Sequence, residues 1–199
     1  ILINKKERPD LIANHGQTIA HFPESRRMGV TLQLGDSTRI ARQTGISVVA
    51  QFRDGDMSAG GQGAPLVPLF HQILASSLVK AGEGVAIHNI GGISNLTYVG
   101  PKGEILAFDT GPGNAWIDLS VEKATRGKKH YDHGGEMGIQ GRTDVTAVRS
   151  VLRHPFFAKA PPKSTGRDDF PFNYFLDRTR TTGNSLVGTA TVVTVESIA

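Results

Sequence analysis

The chain has 199 residues, 38% hydrophobic and 20% charged, the composition of an ordinary soluble globular protein near the border between one domain and two. The formal charge of +4 and pI of about 9.5 admit a polyanionic partner, but the basic residues cluster only at Arg126-Gly127-Lys128-Lys129-His130 and Arg178-Thr179-Arg180, so no nucleic-acid partner is expected. No apolar run is long enough to span a bilayer, the start does not resemble a signal peptide, and the absence of cysteine excludes disulfides and thiolate metal sites and fits a cytoplasmic location.

The chain opens at Ile1 without Met, which reads as a fragment. Asp10-Leu11-Ile12-Ala13-Asn14 is expected to be a short buried strand ending in the polar cluster His15-Gly16-Gln17-Thr18, at the kind of strand terminus where open α/β sheets place ligand-binding groups. His15 is a candidate base or substrate hydrogen-bond donor, although a lone histidine is more often structural. Gly29 to Leu34 alternates as a half-buried strand should, Gly35-Asp36-Ser37 is a turn with a helix N-cap, and Ser37 to Thr44 is a short helix stopped by Gly45. After the strand Ile46-Ser47-Val48-Val49 comes Asp54-Gly55-Asp56-Met57-Ser58-Ala59-Gly60-Gly61-Gln62-Gly63-Ala64-Pro65, read as a long loop that brings a carboxylate close to a ligand. A loop of this composition that merely satisfies backbone donors is the plainer alternative. Leu66, Leu69, Phe70, Ile73, Leu74 and Leu78 then fall at helical spacing, with Pro65 suited to the first turn and the helix running to about Lys80.

A second block begins near residue 80. Val85 to Ile90 and Ile93 to Val99 form a hairpin with Gly91-Gly92 at its tip, and Glu104 to Phe108 is a third strand ending at Asp109-Thr110-Gly111-Pro112-Gly113-Asn114. A helix starts at Ala115. A glycine hairpin beside a strand-to-helix junction offers backbone donors and a helix N-terminus to phosphate oxygens. A plain hairpin is the alternative, and the commoner phosphate-loop signatures are absent. Further on, Tyr131 to Glu136 leads into a helix, Thr143 to Leu152 is helical and is ended by His154-Pro155-Phe156-Phe157, and Pro161 to Phe170 is a loop dense in donors and acids. A final element of unassigned type lies between Thr182 and Ala199.

Two blocks of this kind, with a boundary near residue 80, suggest an α/β fold of two ribonuclease-H-like domains of the actin/hexokinase/Hsp70 superfamily. The ordered set Asn14-His15-Gly16-Gln17-Thr18, Thr31-Leu32-Gln33-Leu34-Gly35-Asp36, Phe52-Arg53, Asp56-Met57, Gly60 to Pro68, Asn89-Ile90-Gly91-Gly92-Ile93-Ser94-Asn95, Phe108 to Asn114 and Pro162-Lys163-Ser164-Thr165-Gly166-Arg167 closely resembles the anhydro-N-acetylmuramic acid kinase family of bacterial peptidoglycan recycling. The resemblance implies that both domains are incomplete at their outer ends, with residues 1–80 on the sugar side and 81–199 on the nucleotide side.

That resemblance implies an enzyme that opens 1,6-anhydro-N-acetylmuramic acid with water and passes the terminal phosphoryl of ATP to O6. It places the catalytic aspartate at Asp56. An aspartate with a pKa of about 3.9 is ionised at neutral pH and can take a proton from the attacking water. It makes Asn89, Gly91, Gly92 and Asn95 a phosphate-binding hairpin, with Asp109, Gly111, Gly113 and Asn114 beside it on the nucleotide, and it leaves His15, Gln17, Arg53, Lys163, Arg167 and Asp168 for the sugar and its lactyl carboxylate. The implied cofactors are ATP and Mg2+, with Asp109 a candidate for ordering the metal. The implied partners are the amino sugar and ATP, without nucleic acid or membrane, and a homodimer is left open.

Two stretches of the family pattern have no counterpart, a phosphate loop before Asp10 and a glycine cluster after Ala199. Gln51 stands where an acid is expected and Asp168 where glutamate is. The competing readings are a glycoside hydrolase on the same sugar, which needs no ATP, and a non-catalytic nucleotide- or polyanion-binding domain.

Overall fold

The computed structural model describes residues 8–23, 29–79 and 82–199. It is a mixed α/β chain whose contacts divide it into two units between Leu66 and Val67.

In the first unit, β1 (Leu11–Asn14) pairs in parallel with β4 (Ser47–Ala50), in the register Leu11 to Ser47 and Asn14 to Ala50. Between them come the antiparallel pair β2 (Gln17–Phe22) and β3 (Val30–Leu34) and the helix α1 (Ser37–Thr44). The Asp36 carboxylate caps α1 by accepting from the Arg39 amide at 2.8 Å, and Gly45 ends it with φ of 64°, the left-handed turn a glycine takes without steric penalty. The expected alternation in β3 is present, but the covered face is the polar one: Val30, Leu32 and Leu34 are exposed, as are Ile19 and Phe22 of β2. Leu11 is likewise exposed, so β1 is not the buried strand expected.

The loop expected after β4 is interrupted. Gln51 takes a left-handed conformation, φ 58° and ψ 39°, and turns the chain directly into α2 (Phe52–Ser58), so Asp54 and Asp56 stand on a short helix and only the segment from Ala59 onward is loop.

In the second unit, α3 (Pro68–Ala75) starts with Pro68, not Pro65, in its first turn and packs on a three-stranded antiparallel sheet. Its His71 Nδ1 lies 2.8 Å from Thr97 Oγ1, and Gln72 Nε2 donates to the Gly103 carbonyl at 3.1 Å. These contacts attach the helix to the second unit, although its sequence position suggests the first block. Lys80, the expected end of this helix, lies outside the described residues.

The sheet runs β5 (Val85–Ile90), β6 (Ile93–Val99), β7 (Ile105–Pro112). β7 continues through Asp109, Thr110 and Gly111 instead of stopping at Phe108, with a register irregularity opposite Ser94 and Asn95. It leads into α4 (Asn114–Thr125). After a 3-10 turn at His133–Gly135 come α5 (Glu136–Gln140), α6 (Val145–Val151), α7 (Pro155–Ala158), α8 (Phe172–Leu176) and α9 (Gly183–Ile198). His154 and Pro155 open α7 as well as ending α6, since His154 Nδ1 accepts from the Phe156 amide at 3.3 Å. α9 packs on α4, α5, α6 and β7. The core gathers Trp116, Val148, Val151, Phe156, Phe170, Phe175, Leu186, Ala190 and Val193. Trp116 stacks on Phe175 with centroids 5.3 Å apart and donates from Nε1 to the Phe170 carbonyl at 3.1 Å.

Candidate functional site

In the first unit, one group of candidate residues is built on α2. Its Asp56 side chain is exposed, and Oδ2 accepts from the Gly63 amide at 2.7 Å, while Oδ1 takes no hydrogen bond from any described residue. The carboxylate is therefore held by one oxygen and open at the other. A β-carbon on Gly61 would fall on this carboxylate, 2.7 Å from Oδ1 and nearer still to Oδ2, so only glycine leaves the acid in place. Arg53 Nη1 donates to the Gly63 carbonyl at 2.7 Å, so the same residue that pins the aspartate is itself pinned by the arginine. His21 joins from β2 with Nδ1 3.1 Å from Thr31 Oγ1; burial, and then the positive charge of Arg53, lower its pKa, with the Gln62 backbone acting in the opposite sense. The pairing of Asn14 with Ala50 brings the His15 turn and the start of α2 to the same end of the parallel pair. There His15 Nδ1 lies 3.0 Å from the Gly16 carbonyl and Gln17 Nε2 donates to the Thr18 carbonyl at 3.4 Å, both side chains exposed.

In the second unit, a separate group of candidate residues lies at the tip of the β5–β6 hairpin. Asn89, Asn95 and Asp109 stand in one row across β5, β6 and β7, one register step below the tip. Behind the tip, the Gly91 carbonyl accepts from the Asn114 amide at 2.7 Å and the Gly92 carbonyl from the Gly113 and Ala115 amides at 2.9 and 3.3 Å. Asn114 Nδ2 adds a bond to the Ile90 carbonyl at 2.8 Å. The hairpin is thus docked on the start of α4, and these helix-terminal donors, read from sequence as free for phosphate, are consumed by the docking. A β-carbon on Gly113 would collide with the Gly91 carbonyl oxygen, and Thr194 of α9 donates to the Gly113 carbonyl at 3.0 Å. Under the tip, buried Ser94 ties the strands: its Oγ lies 2.7 Å from His88 Nε2 and accepts from Thr110 Oγ1 at 2.8 Å, and burial lowers the His88 pKa.

The third element is the loop at 163–169, which docks on this same hairpin sheet. Asp109 is 7% exposed, and its Oδ2 accepts from the Thr165 amide at 2.8 Å while its amide donates to the Lys163 carbonyl at 2.9 Å. Asp169 closes the loop on itself, accepting from Thr165 Oγ1 at 2.8 Å and the Gly166 amide at 2.9 Å. At its far end the Trp116–Phe170 bond fixes the loop to α4. Lys163 turns inward: Nζ sits 4.7 Å from the Phe156 ring centroid and donates to the Phe156 and Phe157 carbonyls at 3.3 and 3.5 Å, and burial lowers its pKa. Arg167 lies over the tip, a β-carbon on Gly92 falling 3.1 Å from its Nη2.

A family model described as anhydro-N-acetylmuramic acid kinase matches residues 4–198. The chain belongs to the anhydro-N-acetylmuramic acid kinase family. Relatives bearing that family's name include one from Rhizobium etli, 48% identical over 161 residues, 81% of this chain and 42% of that protein. One from Shewanella sp. (strain ANA-3) is 47% identical over 166 residues, 83% of this chain and 43% of that protein, and one from Methylobacterium nodulans is 47% identical over 161 residues. The chain spans about two fifths of the length of these relatives.

The residues expected to serve the sugar are shared between the two units. His15, Gln17 and Arg53 belong to the first unit with Asp56, whereas Lys163, Arg167 and Asp168 belong to the second, on the loop attached to the phosphate-type hairpin. Lys163 and Asn114 spend their side-chain donors on backbone carbonyls, and Arg53 spends at least one. Asp168 is exposed and carries no hydrogen bond or ion pair among the described residues. Sequence reasoning gave no individual role to Gly61, His21, Ser94, Trp116 or Asp169. Gly61 and Ser94 lie within the quoted motifs, and Asp169 left a signal as an acid closing a turn rich in Ser, Thr and Gly, whereas His21 and Trp116 left none. Among the described residues no group of three metal-binding side chains occurs, and Asp109, 7% exposed, holds the Thr165 amide through Oδ2.

Proposed function

We propose that this chain, within a protein of its relatives' length, is part of a cytoplasmic ATP-dependent carbohydrate kinase. The kinase opens 1,6-anhydro-N-acetylmuramic acid with water and phosphorylates O6, giving N-acetylmuramic acid 6-phosphate in cell-wall recycling. The observation that carries the reading is Asp56. Its carboxylate, on α2, is held by one oxygen on a backbone amide and left open at the other, facing a loop in which Gly61 leaves no room for a side chain.

In this reading Asp56 accepts one proton from the water whose oxygen bonds to C1. The C1–O6 bond breaks with its electron pair on O6; O6 bonds to the terminal phosphorus, and the bond to the bridging oxygen breaks as ADP leaves. The other water proton stays on the new C1 hydroxyl, and Asp56 releases its proton to solvent. One base therefore serves both bond changes. The two units are read as ribonuclease-H-like domains, and the hairpin 89–95, docked through Gly113 on α4, is read as a phosphate-binding element. Mg2+ would neutralise phosphate charge when bound. It would be held by phosphates and water, with Asp109 the candidate carboxylate for ordering those waters.

The test is the fate of the oxygen and of the phosphate. Full-length protein turning over the anhydro sugar with ATP in 18O-labelled water should give a product with the label at C1 and unlabelled phosphate on O6. Ring opening without ATP would instead support a hydrolase.

A further inference from the structure

The mixed neighbourhood of Arg167 separates it from the rest of the residues assigned to the sugar. Its loop is fixed at three points to the hairpin sheet and α4: Asp109 to the Thr165 amide, the Asp109 amide to the Lys163 carbonyl, and Trp116 to the Phe170 carbonyl. The position of the guanidinium is thus a consequence of how the loop is anchored. A β-carbon on Gly92 would lie 3.1 Å from Nη2 and 3.5 Å from Nε, so the guanidinium rests against a residue that has no side chain to hold it off.

The other candidate positive groups near the hairpin are committed. Lys163 points into the Phe156 ring and carbonyls, and the amides of Gly113, Asn114 and Ala115 are spent on Gly91 and Gly92. The Arg167 side chain is exposed and, among the described residues, makes no hydrogen bond or ion pair, its carbonyl alone accepting from the Phe170 amide at 3.3 Å; Asp118 lines the same shallow hollow on α4 without pairing with it. The neighbouring acid Asp169 is occupied by Thr165 and Gly166. A planar fork of five donors, open to solvent at a glycine hairpin tip, matches an anion that offers two oxygens to bidentate pairing. Two such anions enter the proposed reaction, the nucleotide phosphates and the lactyl carboxylate of the sugar.

We infer that Arg167 binds the phosphates of the nucleotide at the Gly91–Gly92 tip and does not bind the sugar carboxylate. The inference rests on the kinase reading above. It deepens that reading by giving the hairpin a side-chain cation where its backbone geometry alone supplies little charge. Arginine here does what lysine cannot, spanning two phosphate oxygens with one rigid group.

The experiment uses the full-length protein without sugar, titrated with a non-hydrolysable ATP analogue by calorimetry, followed by steady-state kinetics in both substrates. Arg167→Ala should weaken analogue binding at least tenfold and raise the KM for ATP while leaving the KM for the sugar within about twofold. Arg167→Lys should recover part of the binding but not all. As the side chain is exposed and unbonded, both variants should fold, which circular dichroism checks. A raised sugar KM with unchanged analogue binding would overturn the assignment in favour of the carboxylate, and no change in either would overturn it outright. Failure of the unsubstituted protein to bind the analogue would remove the kinase reading itself, a result distinguishable from failure of Arg167 alone.

Discussion

The Thr165 amide donates to Asp109 Oδ2 at 2.8 Å, joining residues 56 positions apart. Through this bond the loop at 163–169 is held against β7, the strand paired with β6 of the hairpin. A charge-assisted bond of this kind, in a residue 7% exposed, contributes about 1.5–3 kcal/mol. Asp109→Asn should therefore lower unfolding stability by roughly 1–3 kcal/mol in urea denaturation. It should also raise the KM for ATP, because the loop bearing Arg167 loses its anchor.

Gly61→Ala tests the space in front of the base. The added β-carbon would meet the Asp56 carboxylate and force it off the Gly63 amide. The substitution should cost on the order of 100-fold in kcat, the scale of a displaced general base. Its unfolding midpoint should change little, since residue 61 is exposed.

Lys163 gives the opposite result. Its ammonium is turned onto the Phe156 ring and two carbonyls and is held below the ordinary lysine pKa by burial. Lys163→Met, which keeps the apolar stem, should leave kcat and both KM values within about threefold while costing roughly 1 kcal/mol of stability.

His21 and His88 set the sign of the stability–pH profile on the acid side of neutrality. Burial lowers both pKa values, with Arg53 adding to the effect at His21, so below the ordinary value of about 6.5 the unfolded chain binds more protons than the folded one. The stability that neutral imidazoles allow is present above that value and is lost as pH falls through the folded pKa values. Urea midpoints should decline from pH 7.5 to pH 5.5, and His88→Gln should make the decline shallower.

Much of this arrangement was legible in the sequence. The hairpin with Gly91-Gly92 at its tip, the start of α4 and the cap at Asp36 follow from local rules, since turns and caps depend on a few adjacent residues. Other features depend on partners distant in the chain. Asp54, Gly55 and Asp56 are poor helix formers, yet the left-handed turn at Gln51 launches them as α2. The run Thr189-Ala190-Thr191-Val192-Val193 has the β-branched composition of a strand but is helical in α9, where Leu186, Val187, Ala190 and Val193 are buried. Amphipathic spacing predicted a helix from about Pro65 to Lys80 within the first block; the structure has it at Pro68–Ala75, and His71 and Gln72 attach it to the second unit. The attachment of the Arg167 loop to the hairpin rests on Asp109, Thr165, Trp116 and Phe170, which no short motif links.

The central claim is that Asp56 is the base of a sugar-dependent phosphoryl transfer. The most direct measurement is ADP release by the full-length protein with and without 1,6-anhydro-N-acetylmuramic acid, beside Asp56→Asn in the same protein. The account predicts release that requires the sugar and falls by at least 1,000-fold in the variant, with the fold intact, about the upper range for loss of a general base together with its charge. Sugar-dependent release that persists in Asp56→Asn would contradict it.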